Sequence, residues 1–180
     1  MFHWDDPTTA DYLNRVRCLA VWVPELDLPA FDDHDLRSVL PAVCHGCRSF
    51  DELRKAPWLA HLQARLTPVQ RTAVEREAPE RIEAPSGSRI KLQYEPGKPP
   101  VLAVRIQEVF GLLETPRIAR GRVPVLMHLL APNMRPQQIT DDLASFWKTP
   151  YHQVRKDLRR RYPKHPWPED PWTAKAVRKR

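Results

Sequence analysis

Glycine is scarce in this chain of 180 residues, five against twenty prolines. Proline lacks the backbone donor that a ladder needs, so long uninterrupted helices and sheets are excluded and short, punctuated elements are expected. Cysteine numbers three, an odd count that cannot build a disulfide framework, and the first 25 residues carry no apolar segment behind a basic start. A reducing cytoplasm is the expected compartment. Long hydrophobic runs are also missing. The apolar stretches Cys18 to Val23 and Val125 to Leu130 fall far short of the roughly 18 residues that span a bilayer, so no membrane partner is expected.

Charge is unevenly placed. The net +7 comes from 29 basic and 22 acidic residues. Residues 1–141 hold 18 of each, whereas residues 142–180 hold 11 basic against 4 acidic and so carry the whole excess. A polyanion is the first partner that such a C-terminal field suggests.

The pattern divides the chain into three parts: a helical subdomain over 1–79, a small β-rich domain over 80–140, and a basic helical segment with a tail over 141–180. In the first, Thr8 or Thr9 can cap a helix carrying Tyr12, Leu13, Val16, Leu19, Ala20 and Val23 at helical spacing, stopped by Pro24. A second helix starts near Asp32 and Asp33 and is short or kinked at Pro41. Ser49 with Glu52, and Thr67 with Gln70 behind which Pro68 follows, read as capping boxes.

From Glu80 the period changes to two, most clearly over Arg89 to Tyr94. Glu95-Pro96-Gly97-Lys98 has the composition of a type II turn, Val101 to Val104 supplies the return strand, and a short helix is expected from Ile106 to a stop near Gly111. Val123 to Leu130 reads as a buried strand and Gln137 to Thr140 as a weaker one. The order β-β-β-α-β-β is that of an OB-type barrel, and equally that of a small mixed or antiparallel sheet without closure. The fold class is α+β. Thr140 precedes an expected helix through Leu143, Phe146 and Trp147 that Pro150 ends. A second runs from Tyr151 to Tyr162 with Tyr151, Val154, Leu158 and Tyr162 on one stripe and Asp157 and Arg161 at pairing distance. The proline-rich segment from Tyr162 to Pro171 must be irregular, and Lys175 to Arg180 is expected to fray.

On that last helix and the turn after it, Arg155, Lys156, Arg159, Arg160, Arg161 and Lys164 are candidate phosphate contacts for RNA or another single-stranded nucleic acid. The plainer alternative is a solvated helix face. Phe146, Trp147, Tyr151, Tyr162, Trp167 and Trp172 either stack on bases or anchor irregular backbone, with Trp167 and Trp172 the better stacking candidates. Arg89 and Lys91, with Gln93, project from the wet side of a strand as a second candidate surface, joined by Arg105 and Arg135 if the sheet closes. An ordinary exposed face balanced by Glu83 and Glu95 is the competing reading. Cys44-His45-Gly46-Cys47 has the spacing of half a zinc site, with His34 and His61 in reach. Without a second such pair it reads as two unrelated thiols, so no metal is expected. His128 reads as a core histidine, Asp141 and Asp142 as helix-start acids, and no catalytic residue emerges.

Ordered blocks in the second half resemble a known family: Pro85 to Arg89 (PSGSR), Pro100 to Leu112 (PVLAVRIQEVFGL), Asp142 to Trp147 (DLASFW), Val154 to Arg159 (VRKDLR) and Tyr162 to Pro171 (YPKHPWPEDP). They look like the C-terminal region of HrpB-type, DEAH-box ATP-dependent RNA helicases, over about residues 80–174, with a looser likeness from Val21 onward. The resemblance implies a region beside the helicase motor that helps hold or guide RNA. The sequence departs from the motors of that family. No glycine is followed by Lys and Ser or Thr, since Gly97-Lys98 leads into Pro99, and no Asp-Glu-Ala-His occurs. ATP and magnesium would therefore belong to absent motor domains, no cofactor is expected here, and the chain is either part of a truncated or split helicase or an accessory module without its motor. The alternative function is a structural or protein-interaction module that docks on motor domains or another partner.

Overall fold

The computed structural model describes residues 6–178. They fall into two units, one running to Pro79 and including Tyr94–Lys98, the other comprising Glu80–Gln93 and the chain from Pro99 onward.

The first unit is helical: α1 (Pro7–Trp22), α2 (Asp33–Cys44), α3 (Phe50–Lys55), α4 (Trp58–Gln63) and α5 (Pro68–Glu77). Asp6, rather than Thr8 or Thr9, caps α1, its carboxylate accepting from the Thr8 and Thr9 amides with Pro7 at the first helical position. An ionised cap meets the amide dipoles more strongly than a hydroxyl, which is why it wins the position. Leu13, Val16, Leu19 and Val23 are almost fully buried, each such burial stabilising the unit by about 1.5–3 kcal/mol. Arg15 shares that buried stripe because its Nε donates to the Ala78 carbonyl at 2.8 Å and its Nη2 pairs with Glu75 at 2.9 Å. α2 keeps Pro41 inside it. Ser49 caps α3 through the Glu52 amide, but the Glu52 carboxylate accepts from the Arg48 amide, so the box is only half formed there. The Thr67–Gln70 box is complete, and the same Gln70 side chain donates to the Leu26 and Asp27 carbonyls.

The second unit carries a five-stranded sheet in the order β1 (Arg81–Glu83), β2 (Arg89–Gln93), β3 (Val101–Arg105), β6 (Leu126–Leu130), β7 (Pro136–Thr140). β4 (Arg117–Ile118) and β5 (Val123–Pro124) form a separate hairpin. The turn between β2 and β3 bonds Lys98 N–H to the Glu95 carbonyl, with Gly97 at φ +81°, a conformation that a side chain makes costly. β3 and β6 are parallel, and every other pairing is antiparallel. The sheet is open, with β1 and β7 as its edges. Of the two readings of the strand order, this is the sheet without closure: β7 folds straight back on β6 and so lands at the outer edge instead of closing on the first strand.

Three further expectations change. The helix after β3 is only a 3-10 turn, Ile106–Glu108. The long strand from Val123 divides at Pro124, which cannot donate to a ladder. His128 is half-exposed and shares a face with Ala103 and the exposed Ile139, so it is not a core histidine. One sheet face buries Leu92, Leu102, Val104, Met127 and Leu129.

Two helices follow, α6 (Leu143–Lys148) and α7 (Pro150–Arg161). Asp142, read in the sequence as a helix-start acid, caps α6, accepting from the Ser145 amide and hydroxyl, while Thr140 accepts from the Asp142 amide. Pro150 opens α7 at its first position, where no donor is needed.

Candidate nucleic-acid interface

α7 is fixed by one apolar edge. Tyr151 and Leu158 are buried, and Tyr151 joins Phe110, Phe146 and Trp147 in a cluster whose ring centroids lie 5.0–6.1 Å apart. These are edge and tilted contacts of the kind aromatic quadrupoles favour. Trp147 donates its indole N–H to the Leu112 carbonyl at 2.9 Å. Burial pushes the Tyr151 phenol far above its ordinary pKa, and its hydroxyl donates to the Pro168 carbonyl. Phe146, Trp147 and Tyr151 are therefore anchors rather than base platforms.

Away from that edge α7 is cationic. Lys156, Arg159, Arg160 and Arg161 are exposed around the rest of its circumference, and Lys164 is exposed in the following turn. None of these five has a carboxylate partner among the described residues. Asp157 is half-buried and accepts from the Gln153 amide. Three of the cations stand in the last turn, where they also oppose the negative end of the helix dipole.

Arg155 is placed differently. Its Nε donates to the Trp167 carbonyl at 2.9 Å and its Nη2 to the Glu169 carboxylate at 3.0 Å, and only 15% of its side chain is exposed. Trp167 in turn donates its indole N–H to the Tyr162 carbonyl at 2.9 Å. Asp170 then caps a turn through the Trp172 amide and the Thr173 hydroxyl, and that hydroxyl bond lowers its pKa. Beyond it the chain runs antiparallel to the segment after β3: Gly111 N–H donates to the Pro171 carbonyl and Val177 N–H to the Gln107 carbonyl. The expected fraying from Lys175 does not hold as far as Val177, while Lys179 and Arg180 lie outside the described residues. Beneath this strap the Gln107 side-chain nitrogen is buried and unpartnered among the described residues.

The sheet candidates are less free. Arg89 and Lys91 are exposed on β2 as alternation requires, opposite Glu83 and Arg81 on β1. Arg81 donates to the Arg89 carbonyl. Gln93 shares their face. Arg105 is held by Glu108 at 2.7 Å, both side chains about nine-tenths buried, and Arg135 stands on the turn after β6, its carbonyl accepting from Ala131. The β4–β5 hairpin carries a basic group that the sequence reading missed. Arg117 donates to the Gly121 and Arg122 carbonyls across a turn in which Ala119, Arg120 and Gly121 all have positive φ. The spacing Arg117, Arg120, Arg122 around a glycine is the signal that would have found it.

Cys44 is exposed and Cys47 half-buried, its thiol directed at the Val43 carbonyl. The metal-capable group among the described residues is Asp32, His34 and Asp35, which includes neither cysteine, and Asp32 already caps α2. Cys18 is buried and its thiol pKa is pushed up to about 11. No described helix is long and apolar enough to cross a membrane.

Residues 39–171 match the family model described as ATP-dependent helicase C-terminal. The chain is 41% identical over 169 residues to the ATP-dependent RNA helicase HrpB of Escherichia coli (strain K12), covering 92% of this chain and 21% of that protein. It superposes on the crystal structure of the E. coli DExH-box NTPase HrpB with a TM-score of 0.91 and 38% identity, over 97% of this chain and 22% of that one. A crystal structure of the Escherichia coli DEAH/RHA helicase HrpB gives a TM-score of 0.75 and 38% identity, over 90% and 21%. The chain thus spans about a fifth of the length of these relatives.

Proposed function

Since the chain belongs to the family of HrpB-type ATP-dependent helicase C-terminal regions, we propose that it serves as the nucleic-acid-holding accessory region of such a helicase. In this reading Lys156, Arg159, Arg160, Arg161 and Lys164 contact the phosphates of single-stranded RNA, and Arg155 is a positioning residue that fixes the tail. The observation that carries it is the set of five exposed cations without carboxylate partners among the described residues, on one helix and its following turn. Phosphate contacts of this kind are sequence-tolerant and weaken with salt. ATP hydrolysis is assigned to motor domains outside this chain, because the sequence offers neither the phosphate loop nor the acidic box that holds magnesium. The test is RNA binding by a chain carrying Arg159→Gln, Arg160→Gln and Arg161→Gln. Affinity at low salt should fall by orders of magnitude with the fold intact, and unchanged affinity would refute the reading.

A second reading concerns the helical unit. Phe50 is 82% exposed and Val21 and Val69 are each 77% exposed, apolar side chains that docking on motor domains would cover. Binding of separately purified motor domains that Phe50→Ser abolishes would support it, and binding indifferent to that change would remove it.

A further inference from the structure

The three thiols of the chain divide into one that is closed off and two that meet. Cys18, in α1, is 3% exposed. Cys44, the last residue of α2, is exposed, and Cys47 is half-buried. The Cys47 N–H donates to the Cys44 carbonyl at 3.0 Å, which closes a four-residue turn and brings the two Cα atoms within about 7 Å. A disulfide spans Cα separations of about 4.4–6.8 Å, so the turn holds the pair at the range a bridge needs. The Cys47 thiol is 3.4 Å from the Val43 carbonyl. That carbonyl belongs to the peptide bond leading into Cys44, and the Cys47 sulfur therefore rests against the backbone that carries the Cys44 side chain.

His45 and Gly46, between the two cysteines, are exposed. Gly46 takes φ +83°, and a Cβ there would meet nothing within 4 Å. The turn thus has a fixed course and open space around it, which leaves room for the torsion of a bridge. A small oxidant reaches Cys44 from solvent, whereas burial closes Cys18 to it.

We propose that Cys44 and Cys47 form a reversible dithiol–disulfide site whose oxidant is a low-molecular-weight disulfide of the glutathione class. Cys44, the accessible thiol, attacks one glutathione sulfur as its thiolate, forming a mixed disulfide and expelling one glutathione thiolate. Cys47 then attacks the Cys44 sulfur, forming the Cys44–Cys47 bond and expelling the second glutathione. The two protons lost by the cysteines pass to the two expelled thiolates, and the two electrons that reduce glutathione disulfide come from the cysteine sulfurs. Excess glutathione runs the same steps backward. A bridge of this kind in a reducing compartment is transient and redox-sensing rather than structural. When formed, it pins the end of α2 to the segment leading into α3. The site stands apart from the phosphate-binding reading of α7 and does not depend on it.

The test equilibrates the full chain in glutathione redox buffers, alkylates the remaining thiols, digests with trypsin and weighs the products by mass spectrometry. Arg37 and Arg48 bound a peptide, residues 38–48, that carries both cysteines and excludes Cys18. That peptide should lose two hydrogens as the buffer becomes more oxidising, with Cys18 alkylated only after denaturation. The native turn already holds backbone that an open chain must order, so the folded protein should close at a glutathione disulfide fraction about tenfold lower than the same chain in urea. Cys47→Ser should stop instead at a glutathione adduct on Cys44. Stable glutathione adducts on the unaltered chain in place of the bridge, or closure no easier in the folded protein than in urea, overturns the proposal, and both readouts hold if Cys47→Ser misfolds.

Discussion

Replacing Arg155 by alanine separates a structural arginine from a phosphate-binding one on the same helix. Its guanidinium makes two bonds to the tail, to the Trp167 carbonyl at 2.9 Å and to Glu169 at 3.0 Å. The first is a charge-assisted bond in a half-buried setting, and losing it costs about 1.5–3 kcal/mol. The second involves a carboxylate that is 86% exposed, so it adds at most about 1 kcal/mol and is screened by salt. Arg155→Ala should therefore weaken the attachment of the 166–177 segment by about 2–3 kcal/mol, whereas Glu169→Gln should cost less than about 1 kcal/mol. Arg155→Lys should rescue little, because an ammonium cannot reproduce the planar fork. Amide hydrogen exchange reads this directly: the Gly111 and Val177 amides, both bonded across the strap, should exchange about 30- to 150-fold faster, the same free energy expressed as an opening constant. The result that refutes the reasoning is unchanged exchange at both amides together with a loss of RNA affinity like that of Arg159→Ala, for that would make Arg155 a phosphate contact.

Other outcomes follow from the same geometry. Gly111 has φ +79° and an added Cβ would lie 3.3 Å from the Ala174 carbonyl, so Gly111→Ala should loosen the strap by about 1–2 kcal/mol, seen as faster exchange at Val177 with α7 intact. The Asp142 carboxyl is lowered from its ordinary 3.8, first by the Ser145 hydroxyl and then by the Ser145 amide. A lowered folded pKa means that its stabilising effect is complete above 3.8 and is lost as pH falls through the folded value. Acid titration should thus release the start of α6 below that pH, and Asp142→Asn should flatten the response. Cys18, with its thiol near 11, should resist a thiol reagent at pH 8 until the helical unit unfolds, while the exposed Cys44 reacts at once.

Local chemistry was legible in the sequence, and long-range chemistry was not. The Thr67–Gln70 box and the Glu95–Lys98 turn depend on residues three apart and the apolar edge of α7 on residues of one short helix, and each formed. The cap of α1 falls on Asp6, whose carboxylate accepts from the Thr8 and Thr9 amides, and Asp142, one of the two helix-start acids, caps α6. The placement of Arg155 was hidden for another reason. Its partners lie 12 and 14 residues away in a proline-rich segment with no period to read, so it looked like one more cation on a basic face. The strap was equally hidden, since the bonds of Gly111 to Pro171 and of Val177 to Gln107 bridge residues that no local pattern links. Sheet closure stayed open in the sequence because strand order is set by which edge the last strand reaches, and β7 folds back on β6.

The most direct test of the account is the salt dependence of single-stranded RNA binding by this chain. Five phosphate contacts on a single strand give a slope of about −3.5 in log affinity against log salt, or about a hundredfold loss between about 50 and about 200 mM. That slope, carried by α7, is what the account predicts. Binding that is flat across this range, or no binding at the lower salt, would contradict it and assign the positive field of the last 39 residues to a protein partner or to solvent.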